Sequence, residues 1–153
     1  MKKVILILIV IASITAACVK YEEGPLVSNL SVKKRIYGFH SLKEYTVNGA
    51  DSLSQYGDSF GLRFDFFYDD ISKIDVCAIL PTEFGVGADL YWTWELSSDR
   101  KFINVNSAGS VSIGIGPFGK NKIPIWEIIK LDKEQMKLKT NYNNKEYMMV
   151  LDN

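Results

Sequence analysis

The segment most suggestive of chemistry is "GIGPFGKN", residues 114–121. It satisfies a Gly-x-Gly-x-x-Gly pattern and comes one residue short of a Walker A loop, so it could in principle bind phosphate. Such loops need a helix that begins directly after them, because the helix N-terminus supplies N–H groups and the positive end of a dipole. Here Pro124 and the β-rich "IPIWEII" follow, and Asn121 stands where a Mg²⁺-binding hydroxyl is needed. We interpret the segment as a connection between strands.

His40 is the single histidine of the chain, which excludes a paired-histidine mechanism and a histidine-based metal cluster. A Ser-His-Asp or Cys-His site would need His40 to meet a nucleophile across the fold. No local pattern supports such a site. His40 shares a strand face with Gly38 and Leu42, so we expect a satisfied or half-exposed strand residue. If the strands enclose a hollow space, His40 becomes a polar anchor for a ligand.

The remaining groups that could do chemistry lack a supporting pattern. Four aspartates surround one predicted hairpin without the alternating oxygen ligands and closing glutamate of a calcium loop, and we interpret them as a solvated turn: Asp65, Asp69, Asp70 and Asp75. Cys77 is interpreted as a small apolar strand residue, because free cysteine is commonly buried and inert. We expect no catalytic residue, no metal and no cofactor, and therefore a protein that is not an enzyme.

Aromatic residues on predicted strand faces are the one pattern that favours a binding function. Ligand sites are concave and mostly apolar, with a few polar groups that orient the ligand. The candidate ligand-binding residues are Phe64, Phe66, Trp92, Trp94 and His40, with Phe60 and Trp126 as further aromatic members. The alternative is that these aromatic rings form an ordinary core.

Apolar residues at every second position predict about eight strands that must position these side chains. "FGLRFDFF" places Phe64 and Phe66 on one face, "DLYWTWEL" does the same with Trp92 and Trp94, and "KIDVCAIL" places Val76 and Ala78 on its apolar face. The predicted strands cover residues 37–47, 60–67, 73–80, 89–96, 101–105, 123–131, 135–142 and 146–152. One or two helical turns are predicted at "SVKKRIYG" before the first strand.

Short polar connections at "SSDR", "DKE" and "NN" predict hairpins, so that neighbouring strands pair in sequence order. The fold class is therefore all-β, an antiparallel up-and-down meander. Closing such a sheet into a barrel covers its apolar face and removes its edges. An eight-stranded barrel is wide enough to be filled by side chains or to hold one small ligand.

The N-terminus has the pattern of a secretory signal peptide over residues 1–17. A cationic head, residues 1–3, precedes an apolar run, Val4–Ile14, that is shorter than the about 20 residues of a membrane span, and small residues follow. "TAAC" then resembles the lipobox of bacterial lipoproteins. That resemblance implies that Cys18 is the lipidation site, carrying a diacylglyceryl group and an amide-linked chain such as palmitate. More than one acyl chain is what stable membrane anchoring requires.

Residues 18–30 are predicted to be the acylated cysteine and a polar tether, and residues 31–153 the folded domain. Lys20, Glu22 and Glu23 resemble the surface-export signal of Bacteroidota lipoproteins, which favours the cell surface over the periplasmic face of the outer membrane. Removal of the signal peptide leaves 16 basic and 18 acidic residues, a net charge of −2. We expect no nucleic-acid partner, because such a partner requires a basic surface.

Several segments together resemble the lipocalin-like domain lipoproteins of Bacteroidota: "CVKYEEGPLVSNLSVKKRIYG", "LKEYTVNGAD", "WELSSDRKFINV" and "IWEIIKLDKEQMKLK". The resemblance covers nearly the whole mature chain and implies a small calycin-type barrel on a lipid anchor. Where lipocalins often carry Gly-x-Trp in the first strand, this chain has Gly38 and His40. We expect non-catalytic binding of a small apolar or amphipathic ligand. The alternative is an interaction module with a filled barrel that docks another envelope protein.

Overall fold

A computed structural model of the chain describes residues 21–23, 30–56, 62–81, 90–107 and 125–153. Several features predicted from the sequence lie outside these residues: the signal peptide, Cys18, Phe60 and the glycine-rich segment 114–121. Among the described residues, no helix is long and apolar enough to cross a membrane.

The described chain contains one short α-helix, a turn of 3-10 helix at Leu53–Tyr56, and nine strands. The elements are α1 (Val32–Ile36), β1 (Gly38–Val47), β2 (Ala50–Asp51), β3 (Leu62–Asp69), β4 (Ile74–Pro81), β5 (Leu90–Leu96), β6 (Phe102–Ser107), β7 (Ile125–Leu131), β8 (Gln135–Tyr142) and β9 (Lys145–Asp152). Apart from the two-residue β2, these strands coincide with the eight predicted from alternation.

Eight of the strands close into an antiparallel barrel in which sequence neighbours pair, as predicted. Closure depends on β1. Its first residues, Gly38–Ser41, pair with β3, and its later part, Ser41–Val47, pairs with β9. A register shift between Leu42 and Glu44 marks the bulge at which β1 changes partner. The short β2 pairs only with the last residues of β1.

Left-handed turn residues explain the tightest hairpins. Asn143 and Asn144, between β8 and β9, have φ angles of 50° and 59°. Asn48 and Gly49, between β1 and β2, have φ angles of 52° and 77°. Two successive left-handed residues match the right-handed twist of the flanking strands, and asparagine and glycine adopt this conformation most readily. The predicted hairpins at "SSDR" and "DKE" join β5 to β6 and β7 to β8.

Alternating strand directions place α1 and the β3–β4, β5–β6 and β7–β8 turns at one end of the barrel, called the helix end below. The helix begins at an N-cap, Ser31, whose Oγ accepts a hydrogen bond from the Lys34 N–H at 3.3 Å. Its buried residues are Val32, Arg35 and Ile36. Because α1 bonds to β4 through Lys33 and to β7 through Arg35, it spans this end of the barrel.

The barrel interior is apolar. Strand β4 shows how strand pairing decides which of two alternating sets of side chains faces inward. The sequence predicted Val76 and Ala78 on the apolar inner face of β4. In the structure Cys77 lies directly opposite Phe66 of β3 and Trp92 of β5, so Cys77 faces inward with them. Val76 and Ala78 are also buried, but they take the outward phase. The set that contains Val76 and Ala78 is the more apolar one, since the inward set with Cys77 includes Asp75, so the pairing with β3 and β5 overrides the local alternation.

Candidate functional site in the barrel interior

The structure brings the five predicted ligand-binding residues together on inward-facing strand positions. His40 of β1 lies opposite Phe64 of β3, and Phe66 lies two positions farther along β3. Trp92 and Trp94 come from β5. None of the five is more than 4% exposed. We call this set the aromatic cluster: His40, Phe64, Phe66, Trp92 and Trp94.

Three members of the aromatic cluster form a continuous chain of edge-to-face ring contacts. The His40 and Phe66 ring centroids are 5.6 Å apart at an interplanar angle of 85°, and those of Phe66 and Trp94 are 5.7 Å apart at 80°. Tyr37, which follows α1, extends the chain through an edge contact with Trp94 at 5.8 Å. Such geometry places the positive ring edge against a neighbour's negative face. Trp126, the further aromatic candidate, is also fully buried in the same core.

His40 is the polar member of the aromatic cluster, and its hydrogen bonding fixes its tautomer. Its Nε2 lies 2.7 Å from the Ile36 carbonyl oxygen. A carbonyl can only accept, so Nε2 carries the proton and donates. Burial lowers the pKa of His40, which keeps the ring neutral and leaves Nδ1 with an acceptor lone pair. No described residue donates to this buried Nδ1 atom.

Cys77 is a buried thiol in the described interior and is not an activated nucleophile. Burial raises the pKa of the Cys77 thiol well above its ordinary value, so the thiol stays protonated and inert. The described residues also contain no group of three or more histidine, cysteine, aspartate or glutamate side chains that could hold a metal ion. What the aromatic cluster can do is pack an apolar group and accept one hydrogen bond at His40 Nδ1.

A polar cluster at the helix end was not predicted from the sequence. The Asp75 carboxylate accepts a hydrogen bond from the Tyr37 hydroxyl at 2.5 Å and pairs with the Lys33 ammonium. The prediction that Asp75 belongs to a solvated turn is therefore wrong for this aspartate, since it is buried. Asp70, by contrast, is exposed in that turn. Asp75 lies two positions before Cys77 on β4 and therefore shares its inward face, which local alternation did not predict.

Arg35 is a second buried charge at the helix end. Its Nη1 donates to the Leu131 carbonyl oxygen at 2.6 Å, and its guanidinium carbon lies 5.6 Å from the centroid of the Tyr21 ring. No described residue accepts a hydrogen bond from its Nε. The pattern "VKKRI" on a short helix gives no sign of which cation turns inward. Only the docking of α1 across the barrel selects Arg35.

Part of the predicted tether contacts the barrel. The Tyr21 side chain is buried, and its hydroxyl donates to the Arg100 carbonyl oxygen at 3.1 Å. The Glu23 N–H donates to the Ile129 carbonyl oxygen at 2.8 Å, and the Glu23 carboxylate pairs with Lys137 at 2.8 Å. Among the described residues of the predicted tether, Tyr21 and Glu23 therefore contact the barrel.

Neither a scan against protein-family models nor a search of the curated proteins finds a match to this chain.

Proposed function

We propose that this protein is a membrane-anchored lipoprotein whose lipocalin-like barrel binds one small apolar or amphipathic ligand without catalysing a reaction. The observation that carries the binding proposal is the Nδ1 atom of His40. It is a buried acceptor without a described donor, in contact with aromatic rings. A ligand that presents one N–H or O–H group and an apolar body matches these surroundings.

An unsatisfied buried polar atom supports this proposal because it is unfavourable in the absence of a partner. Leaving a buried acceptor unpaired destabilises a protein by about 1–3 kcal/mol. A phenylalanine at position 40 would remove that penalty but would also remove the Nε2 donor of the Ile36 carbonyl oxygen. The bond to Ile36 accounts for Nε2, and a partner that donates to Nδ1 would account for the second ring nitrogen.

The competing function is an interaction module whose barrel is filled by its own side chains. The edge-to-face contacts from Tyr37 through Trp94 and Phe66 to His40 favour this alternative, because they are the contacts of a packed core. In that case the outer surface or the turns would dock another envelope protein. No nucleic-acid partner is proposed for either function.

The anchoring proposal is supported by the signal-peptide pattern and by Cys18 at its end. The protein would then lie on the outer membrane, with the cell surface favoured by Lys20, Glu22 and Glu23. The test is metabolic labelling with a fatty-acid analogue. Cys18→Ala is expected to abolish labelling and leave an unprocessed or released chain, and normal labelling of that variant would contradict the proposal.

The binding proposal is tested with N-phenyl-1-naphthylamine, an apolar probe with a single N–H donor. Binding inside the barrel should cause energy transfer from the buried tryptophans to the probe. His40→Phe removes the acceptor and should weaken binding by up to about tenfold, the equivalent of one hydrogen bond. Phe39→Ala is the matched control, since Phe39 is the preceding residue and is exposed. Equal probe binding by both variants, or no binding by the wild type, would contradict the proposal.

A further inference from the structure

The helix end carries most of the exposed large apolar residues of the described chain. Six such residues are exposed, and five of them lie at or next to this end: Leu30, Phe39, Tyr68, Ile71 and Ile74. The sixth, Ile125, begins β7 at the opposite end. Single exposed apolar residues are ordinary, but several on one rim indicate a contact surface.

Ile71 is the most exposed member of this group. It lies at the tip of the β3–β4 turn and is 93% exposed. Turn positions of this kind are usually occupied by glycine, proline, asparagine, aspartate or serine. The turn gives Ile71 no packing role, because its conformation is held by the Asp69 carboxylate, which accepts from the Ile71 and Ser72 N–H groups at 3.0 Å and 3.3 Å.

The attachment of the N-terminal segment indicates which surface lies next to the helix end. Tyr21 docks at the helix end, beside Arg35 of α1 and Arg100 of the β5–β6 turn. Cys18 precedes Tyr21 by three residues, and three residues span at most about 11 Å. An acyl chain on Cys18 therefore holds the helix end within about one nanometre of the lipid surface.

We infer that the helix end of the barrel rests on the membrane, with Ile71 inserted into the lipid interface. This inference rests on the proposed acylation of Cys18. Tyr21 docks near β7, whereas Ile71 lies across the barrel end between β3 and β4, so the anchor and the isoleucine form two separate points of contact. Two contacts at the helix end orient the barrel axis along the membrane normal. The opposite end, with the β1–β2 and β8–β9 turns, then faces water.

The contact is apolar rather than electrostatic. Lys73 and Asp70 flank Ile71 and pair with each other at 3.8 Å, so the Asp69 carboxylate leaves the tip with a net charge of only −1. Interfacial apolar groups bury to a depth of about 5–10 Å, at the boundary between headgroups and acyl chains. Insertion of Ile71 should therefore not require anionic lipid.

The test uses the full acylated chain in vesicles of phosphatidylethanolamine and phosphatidylglycerol, with and without bromine on the upper part of the acyl chains. An environment-sensitive maleimide dye is attached to Ile71→Cys. Cys18 is acylated and Cys77 is only 2% exposed, so the new cysteine is the reactive thiol. Ile125→Cys is the matched control, because it replaces an exposed isoleucine at the opposite end.

The expected result is a blue shift and strong bromine quenching of the dye at position 71, with neither at position 125. Equal water exposure at the two positions would overturn the inference, and so would equal quenching, which means a barrel lying on its side. A dye at position 71 that is shielded but not quenched would mean a protein contact and would overturn it too. Denaturing mass spectrometry of the same sample separates the two proposals. Without acyl mass on Cys18 the anchoring proposal itself fails.

Discussion

The Lys33 ammonium of α1 pairs with the Asp75 carboxylate of β4 beneath the Trp94 ring. Lys33 Nζ is also 5.8 Å from the Trp94 ring centroid, and the Tyr37 hydroxyl donates to the same carboxylate. One buried aspartate thus fixes both ends of the short helix to the barrel. Five helical residues are too few to be stable alone, so the helix depends on these contacts and on its buried side chains.

Asp75→Ala should therefore destabilise the domain. It leaves the Tyr37 hydroxyl and the Lys33 ammonium without their acceptor, and such losses amount to about 1–3 kcal/mol in the free energy of unfolding. Urea unfolding measures the change. Asp70→Ala is the control, because the exposed Asp70–Lys73 pair contributes little. Equal stability of the two variants would show that the helix end does not depend on Asp75.

His40 should make the stability of the domain depend on pH. Its pKa is lowered by burial in the folded state, whereas in the unfolded chain it is ordinary, about 6.5. The unfolded chain therefore binds a proton that the folded domain resists, and stability falls as the pH drops below about 6.5. The slope for one proton is about 1.4 kcal/mol per pH unit.

His40→Gln tests this pH dependence, because glutamine keeps an amide donor for the Ile36 carbonyl and does not titrate. Urea unfolding at pH 7.5 and at pH 5.5 should show a smaller loss of stability in His40→Gln than in the wild type. The aspartates and glutamates are common to both proteins, so the difference isolates His40. Identical pH profiles would mean that His40 titrates normally in the folded domain.

Trp94→Ala should destabilise the domain strongly. Trp94 is 1% exposed, donates from Nε1 to the Val76 carbonyl oxygen at 3.1 Å, and contacts Tyr37 and Phe66. Replacing such a tryptophan by alanine typically loses about 3–5 kcal/mol. The exposed Phe39→Ala variant should change stability by no more than about 0.5 kcal/mol.

Trp92→Ala tests whether Trp92 is only a core residue or also lines a ligand site. If Trp92 is only core, its removal should also lower stability by about 3–5 kcal/mol. If it lines a ligand site, probe binding should be lost while most of the stability remains. Thermal unfolding and titration with N-phenyl-1-naphthylamine on the same sample distinguish the two results.

Cys77 should be unreactive in the folded domain. Its thiol is buried and its pKa is raised, so alkylation should be slow even at pH 8 and become rapid in urea. Mass spectrometry after a timed exposure to iodoacetamide measures this difference. Rapid modification without denaturant would indicate that β4 opens readily or that Cys77 faces solvent.

The strands could be predicted from the sequence because apolar residues, many of them aromatic or β-branched, recur at alternate positions. Trp92 and Trp94 belong to such a pattern, and both lie on the inner face as predicted. The turn at Asn143 and Asn144 was equally readable, because asparagine favours the left-handed conformation found there.

The inward-facing residues of β4 and the polar cluster at the helix end could not be predicted, because both depend on tertiary contacts. Val76 and Ala78 belong to the more apolar of the two alternating sets, because Asp75 shares the set of Cys77, so local alternation favoured the wrong face. Tertiary pairing with Phe66 and Trp92 chose between them. The burial of Asp75 and Arg35 follows from the docking of α1 across the barrel end, which no local pattern encodes. The unpaired Nδ1 atom of His40 could likewise not be predicted, because it is known only from the tertiary contact in which Nε2 donates to the Ile36 carbonyl oxygen.

The most direct test of the proposed binding function is native mass spectrometry of the acylated chain, extracted from the bacterial membrane without detergent. Covalent acyl mass on Cys18 persists when the sample is denatured, whereas a bound ligand is released. The proposed function predicts additional mass in the native spectrum that disappears on denaturation and is reduced in His40→Phe. A native mass equal to the denatured mass, before and after incubation with lipid extract, would contradict it and favour the filled interaction module.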